Sequence, residues 1–207
     1  MKIETWTIFG AGGLINDIND AIESIGQRIE FLVLNMELDR HFLRKIPSSI
    51  KIKKLEDFQP STDHYLFGFV DPNKKPFLES LKKFNLHYSN LTHKFSYVSK
   101  TVKMGQGNYI SAGVVLATNI RLGNFNYINR SVSVGHDAEL LNFNHLGPGS
   151  TVAGNCKIGN NNFLGAGSVV INNLKIKDEI TIGAGGVVVK DILDPGTYAG
   201  VPVRYLK

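Results

Sequence analysis

From Val98 onward the chain places an apolar residue at every sixth position. The series is Val98, Met104, Ile110, Leu116, Leu122, Ile128, Val134, Leu140, Leu146, Val152, Ile158, Leu164, Val170, Ile176, Ile182 and Val188, with no insertion. Aliphatic residues make up roughly a third of an average chain, so a series this long in register does not arise by chance. Glycine follows the apolar residue at 105, 123, 135, 147, 159, 165 and 183. A period of six matches neither a 3.6-residue helix nor two-residue strand alternation, and it marks a solenoid. Each unit supplies one short strand and a corner. Three units close a triangular coil of eighteen residues, and equivalent positions stack at the β-strand spacing of about 4.8 Å.

A second column supports the eighteen-residue period. Asn108, Asn126, Asn144 and Asn162 recur at that spacing, and stacked asparagines can hydrogen-bond as a ladder. The corresponding positions on the other two faces are small or apolar. Val102, Ile120, Ala138, Cys156 and Leu174 form one column, and Val114, Val132, Ser150, Ser168 and Gly186 the other. Cys156 therefore reads as a small core residue rather than a nucleophile. The repeat spans about five coils of a parallel β-helix.

Residues 1–88 carry a different pattern. Ile3 to Phe9 reads as a strand, followed by Gly10-Ala11-Gly12-Gly13 and a helical stretch with Ile15, Ile18, Ile22 and Ile25 on one face. Glu30 to Asn35 and Tyr65 to Val70 read as further strands, and Pro76 to Phe84 as helical. Strand, glycine turn, helix and strand together predict a small α/β, Rossmann-like domain over 1–88. Residues 89–207 hold the β-helix and a short tail, with 85–97 as the connection. Glycines at a strand–helix turn let backbone approach a phosphate at a helix N-terminus. They also serve simply to make the turn, because the full G-x-G-x-x-G spacing is missing.

Composition narrows the function classes. The chain is 43% hydrophobic and 20% charged, which fits a folded core. It carries net charge +5, but its lysines are scattered and no basic block alternates with aromatics, so nucleic acid is not the expected partner. A modest positive charge suits phosphorylated small molecules. No apolar run is long enough for a membrane span, and no leader is evident at the N-terminus. With one cysteine there is no intrachain disulfide, which points to the cytoplasm.

Two of the six histidines lie in the repeat. His136 precedes Asp137 in the hexad starting at Val134, and His145 ends the next hexad, at the expected corner before Leu146-Gly147. The other four, His41, His64, His87 and His93, read as solvated side chains. A histidine beside an acid has the make-up of a general base, since the carboxylate fixes its tautomer. Acyl transfer from a thioester also needs a backbone N–H at the developing oxyanion. Gly154, eighteen residues after His136, would leave its N–H accessible. Asp137 adjoins His136, so the two can cooperate only at a corner or an irregular strand. Zinc is not expected, because His136 and His145 supply two ligands and a catalytic site wants three.

The segments Gly135-His136-Asp137, Ala153-Gly154-Asn155, Ile158-Gly159, Phe163-Leu164-Gly165 and Gly200-Val201-Pro202 resemble the hexapeptide-repeat sugar acetyltransferases of the NeuD/PglD type. The resemblance covers nearly the whole chain. It implies a left-handed β-helix, a homotrimer with sites between neighbouring coils, and acetyl-CoA as co-substrate. It makes His136 the base and Asp137 its acid partner. It places His145 and the backbone at Gly154, Ala166 and Ala184 in the acetyl-CoA pocket. Ala166 and Ala184 are eighteen apart, so the repeat independently puts them in one column.

The N-terminal segment departs from the family. Leu14 and Ile15 stand where the family has histidine and glycine, Asn35 where it often has aspartate, and Val70 where glycine is common. Gly12, Gly13 and Asn35 are the remaining candidate acceptor contacts. The expected activity is acetyl transfer to the amino group of a nucleotide-linked sugar in surface glycan or polysaccharide synthesis. Sugar O-acetylation, a non-catalytic sugar-nucleotide scaffold and a zinc hydratase on the same fold are the competing readings.

Overall fold

The structure is a computed structural model that describes residues 2–10, 13–34, 46–68 and 74–206. Its described residues form two compact units, Met1–Lys94 and Phe95–Lys207.

In the second unit every sixth residue from Gly107 to Gly185 has positive φ, between 56° and 71°. This left-handed residue turns each corner. Glycine, asparagine or aspartate occupies most of these positions, as expected for types that adopt the conformation at least cost. Phe125, Ser131, Phe143 and Glu179 are the exceptions. Phe125 and Phe143 stack on one another with centroids 5.3 Å apart.

Between corners the chain forms two- or three-residue strands whose parallel partners lie eighteen residues away. One face contains Tyr97–Val98, Val115–Leu116, Ser133–Val134, Thr151–Val152, Val169–Val170 and Val187–Val188. The next, the charged face, contains Lys103–Met104, Arg121–Leu122, Glu139–Leu140, Lys157–Ile158 and Lys175–Ile176. The third, the aromatic face, runs through Tyr109–Ile110, Tyr127–Ile128, His145–Leu146, Phe163–Leu164 and Ile180–Ile182. Gly196–Ala199 extends it in parallel, and Arg204–Tyr205 then pairs antiparallel.

Because side chains alternate along a strand, the aliphatic residue of each pair points inward and its neighbour outward. From Ile110 to Val188 the six-residue series forms one buried cluster with Val114, Ile120, Val132, Ala138 and Cys156. Val98 and Met104, the first two members of the series, are only partly buried. Each fully buried Leu or Ile contributes about 1.5–3 kcal/mol relative to exposure.

The inner asparagines do more than stack side chain on side chain. The Asn108 side-chain oxygen accepts from the Asn126 backbone N–H at 2.9 Å, Asn126 from Asn144 at 2.9 Å, and Asn144 from Asn162 at 3.0 Å. Asn162 caps Ile180 in the same way at 2.9 Å. The amide of Asn126 donates to the Leu141 carbonyl, and that of Asn144 to the Gly159 carbonyl. The column thus satisfies corner backbone groups that no strand reaches.

The first unit has a four-stranded parallel sheet in the order β3-β2-β1-β4, with β1 Thr5–Phe9, β2 Arg28–Leu34, β3 Lys51–Lys54 and β4 His64–Phe67. Helix α1, Ile15–Ser24, buries Ile15, Ile18 and Ile22. Ile25 lies past its end and is exposed, so the predicted apolar stripe is one turn too long. Helix α2 spans Lys74–Leu81 and tightens into a 3-10 turn over Lys82–Phe84. Strand β3 is unforeseen in the sequence, because Lys51-Ile52-Lys53-Lys54 has a single apolar residue. As an edge strand it needs no alternating buried face, and lysines there discourage pairing with another chain.

Candidate active site

His136 and Asp137 sit together at the turn leading from Ser133–Val134 to Glu139–Leu140. Asp137 has φ 58°, so the chain leaves strand geometry where two neighbouring side chains must converge. His136 Nδ1 lies 2.8 Å from Asp137 Oδ2. Both side chains are largely exposed, at 66% and 51%. With Asp137 ionised, Nδ1 carries the proton and donates it to the carboxylate, leaving the Nε2 lone pair free. The hydrogen bonds from His136 and then Asn119 hold the Asp137 carboxyl below its ordinary range. It is an anion wherever neutral imidazole can act as a base.

Asn119 is a part of this site that sequence reasoning missed. Its side-chain amide donates to Asp137 Oδ1 at 3.1 Å, and its backbone N–H donates to Thr101 Oγ1 at 2.8 Å. Thr101, Asn119 and Asp137 are eighteen apart, one per coil. That column was readable, but only by stepping back from Asp137 as one steps forward from His136. The next rung is absent among the described residues: Asn155 donates onward to Asn173 at 2.8 Å. A carboxylate has no N–H to pass on, so the second oxygen of Asp137 is left for His136.

Gly154 lies against the imidazole. A Cβ on it would come within 2.8 Å of His136 Nε2 and 3.0 Å of Cε1. Gly135 is equally constrained, since its Cβ would lie 2.5 Å from the Gly154 nitrogen. The same device recurs at the corner between the aromatic face and the face of Val115. Added Cβ atoms at Gly147 and Gly165 would lie 2.8 Å from Ala166 N and 2.6 Å from Ala184 N. Among the described residues no hydrogen bond takes up the N–H of Gly154, Ala166 or Ala184. Three uncovered backbone donors line two adjacent corners.

The remaining predicted residues fall elsewhere. His145 belongs to a strand of the aromatic face rather than a corner, tilted against Tyr127 and Phe163 with centroids 4.9 Å from each. Gly13 has open space where a Cβ would project, so packing does not require glycine there. Gly12, Asn35 and His41 lie outside the described residues. His64 and His93 are not solvated as expected. His64 bonds Ser89 Oγ at 2.9 Å and Glu4 at 3.1 Å, and His93, nearly buried, meets Asp20 at 3.2 Å. Among the described residues no three His, Cys, Asp or Glu gather as a metal site, and no helix is long and apolar enough to cross a membrane.

Comparison with solved structures places the fold. PerB from Caulobacter crescentus, in complex with CoA and GDP-perosamine, matches with a TM-score of 0.86 and 26% identity over 100% of this chain and 99% of its own. The fold is that of known acetyltransferases. The H-to-N variant of perosamine N-acetyltransferase from the same organism, also with CoA and GDP-perosamine, matches at TM-score 0.86 and 24% identity, covering 100% and 98%. The acetyltransferase domain of PglB from Neisseria gonorrhoeae, with acetyl coenzyme A, matches at 0.87 and 23% over 99% and 100%. No family model and no curated relative matches the chain.

Proposed function

We propose that this chain is an acetyl-CoA-dependent N-acetyltransferase acting on a nucleotide-linked amino sugar, with His136 as general base. The observation that carries the reading is the 2.8 Å His136–Asp137 bond at an open corner, its ring against Gly154. Its context is a fold shared end to end with an enzyme crystallised with CoA and GDP-perosamine.

The chemistry follows from the site. The acceptor amine attacks the thioester carbonyl carbon, forming the C–N bond while His136 Nε2 takes the amine proton. Negative charge collects on the carbonyl oxygen, and the uncovered Gly154 N–H is the donor suited to meet it. Collapse breaks the C–S bond, and the imidazolium returns the proton to the departing sulfur. Asp137 stabilises the imidazolium and keeps the ring in the productive tautomer. The Ala166 and Ala184 amides and His145 belong to the acetyl-CoA side. Tyr127 and Phe163 hold the His145 ring in place there.

The β-helix is left-handed and the assembly a homotrimer in this reading. The outward column Val115, Ser133, Thr151, Val169 and Val187 carries no charge, which suits contact between copies. The N-terminal unit is Rossmann-like and binds the acceptor, supported by its parallel strand order with β1 inside the sheet and by the left-handed Gly10, φ 80°, that ends β1. The enzyme works in the cytoplasm on precursors of a surface glycan. CoA release from acetyl-CoA with UDP-, GDP- and dTDP-linked 4-amino sugars tests this. Turnover with at least one amino sugar and none with its 4-hydroxy counterpart is expected. The reverse preference would replace N- by O-acetylation, and no turnover with either set would remove the enzymatic reading.

A further inference from the structure

The first unit holds a second group of nucleophile, base and acid, at the end of its sheet away from Gly10. Glu4 stands just before β1, Gln27 just before β2, and His64 opens β4, so all of them lie where the parallel strands begin. Trp6 and His64 are register partners on adjacent strands. Ser89 reaches the same place because its backbone N–H donates to the Tyr65 carbonyl at 3.1 Å, alongside β4. Ligands of parallel α/β sheets bind at the opposite, carboxyl ends of the strands, so this group stands apart from any site near Gly10.

One hydrogen-bonded chain runs through these side chains. Trp6 Nε1 donates to Gln27 Oε1 at 2.6 Å, and the Gln27 amide donates to Glu4 Oε2. His64 Nε2 meets the same carboxylate oxygen at 3.1 Å, and His64 Nδ1 lies 2.9 Å from Ser89 Oγ. A carboxylate can only accept, so Nε2 carries the ring proton and Nδ1 presents its lone pair to the Ser89 hydroxyl. Hydroxyl on imidazole and imidazole on carboxylate is the order of groups that activates a serine. The Trp6 and His64 rings lie with centroids 4.5 Å apart and 31° between their planes, so the indole face stabilises the cation formed when His64 takes a proton. The His64 and Glu4 side chains are 24% and 54% exposed, and Ser89 is half-buried, so reagents can reach the group. Partly exposed pairs of this kind add little to stability, and fastening the sheet edge does not account for them.

We infer that Ser89 is an acylation site, with His64 as its base and Glu4 as the group that orients the base. Ser89 Oγ attacks the carbonyl carbon of an activated acyl donor and forms the new C–O bond while His64 Nδ1 takes the hydroxyl proton. The bond to the leaving group breaks, and the imidazolium returns the proton to it. Water then attacks the acyl-serine ester through the same base, releasing the carboxylic acid and restoring the hydroxyl. The side chains of Ser89, His64 and Glu4 bring no donor to the developing oxyanion, so the acyl donor must carry a good leaving group, as aryl esters and thioesters do. The site lies wholly in the first unit and does not depend on His136 or on the acetyltransferase reading.

The probe is p-nitrophenyl acetate, applied to the full chain carrying His136→Ala so that the histidine of the β-helix adds no background. Release of p-nitrophenol and the intact-protein mass are followed together, and the acetyl group is located by peptide mapping. An acetyl group on Ser89 is expected, with release falling about tenfold or more when Ser89→Ala or Glu4→Gln is added. Ser89→Cys keeps a nucleophile in place and should be acetylated at the same position, which separates loss of the nucleophile from loss of the fold. Acetyl groups found only on lysines or other residues would overturn the inference. So would release unchanged by Ser89→Ala, or a Ser89→Cys chain with no acetyl group at that position; the cluster would then be a clasp for the sheet.

Discussion

The corner carrying His136 and the corner carrying Asn124 come from the same six-residue repeat, yet they treat the backbone in opposite ways. At the second corner an outer column of Asn124, Asn142, Asn160 and Asp178 closes on itself. Each side-chain oxygen accepts the backbone N–H of the residue eighteen earlier, at 2.9, 2.8, 3.0 and 2.6 Å for Gln106, Asn124, Asn142 and Asn160. At the first, the equivalent residues are His136 and Gly154, and the Gly154 N–H is left open above Gly135. One corner uses its donors within the fold, and the other leaves the Gly154 donor uncovered. Asparagine reaches back to cap the coil before it, whereas His136 and Gly154 cannot; Asn172, eighteen residues after Gly154, makes no such bond to its N–H among the described residues.

Replacing Gly154 with alanine breaks the contrast most sharply. The added Cβ cannot coexist with the imidazole where it now lies, and the exposed ring is free to swing away. Because Gly154 does not have positive φ, alanine strains no backbone there. The kcat for CoA release should fall about 100-fold or more, as for other small displacements of a catalytic group, with Tm almost unchanged. An equal loss of Tm and activity would mean that Gly154 serves packing. Asp137→Asn tests the other side of the ring, and by loss of the tautomer-fixing anion kcat should drop by a factor on the order of 100 with KM for acetyl-CoA unaltered.

The inner column should respond in the reverse sense. Asn144→Ala removes the acceptor for the Asn162 N–H and the donor to the Gly159 carbonyl. Unfolding in denaturant should show a loss of about 1–3 kcal/mol, with turnover per folded molecule preserved. A selective loss of turnover would show that the column shapes the site directly. The smallest effect is expected at Asn119. Asn119→Gly keeps the left-handed corner and the N–H bond to Thr101 while removing the amide from Asp137. That hydrogen bond lowers the Asp137 pKa, so its loss raises the pKa, and protonation of Asp137 begins at higher pH. Asp137 stays ionised near neutrality, so kcat there should hold within about threefold, and the added loss should appear only as pH falls toward the ordinary carboxylate range. A profile that scales uniformly at every pH would leave Asn119 with no electrostatic role.

Much of this molecule is legible in its sequence because the repeat forces it. An aliphatic residue every sixth position admits one continuous buried core, and eighteen-residue stacking then aligns Asp137 with Asn119 and His136 with Gly154. What the pattern does not carry is direction. That His136 and Asp137 meet depends on the left-handed φ at Asp137, a conformation the Asn and Gly at neighbouring corners hint at and Phe125 and Phe143 obscure. His145 was read as a corner residue, though alternation places it on a strand between two aromatics. In the first unit helices and strands depend on contacts distant in sequence. The polar edge strand Lys51–Lys54 therefore left no hydrophobic signature, and Ile25 extended a stripe past its helix.

The claim that the open corner is the reacting centre is tested most directly by the rate of CoA release in His136→Ala, measured beside acetyl-CoA affinity in the same preparation. The account predicts a loss of turnover on the order of a thousandfold or more, with acetyl-CoA affinity and folded state retained. Turnover within about threefold of the unmodified chain would contradict it, and the proton would then have to leave the amine by another route.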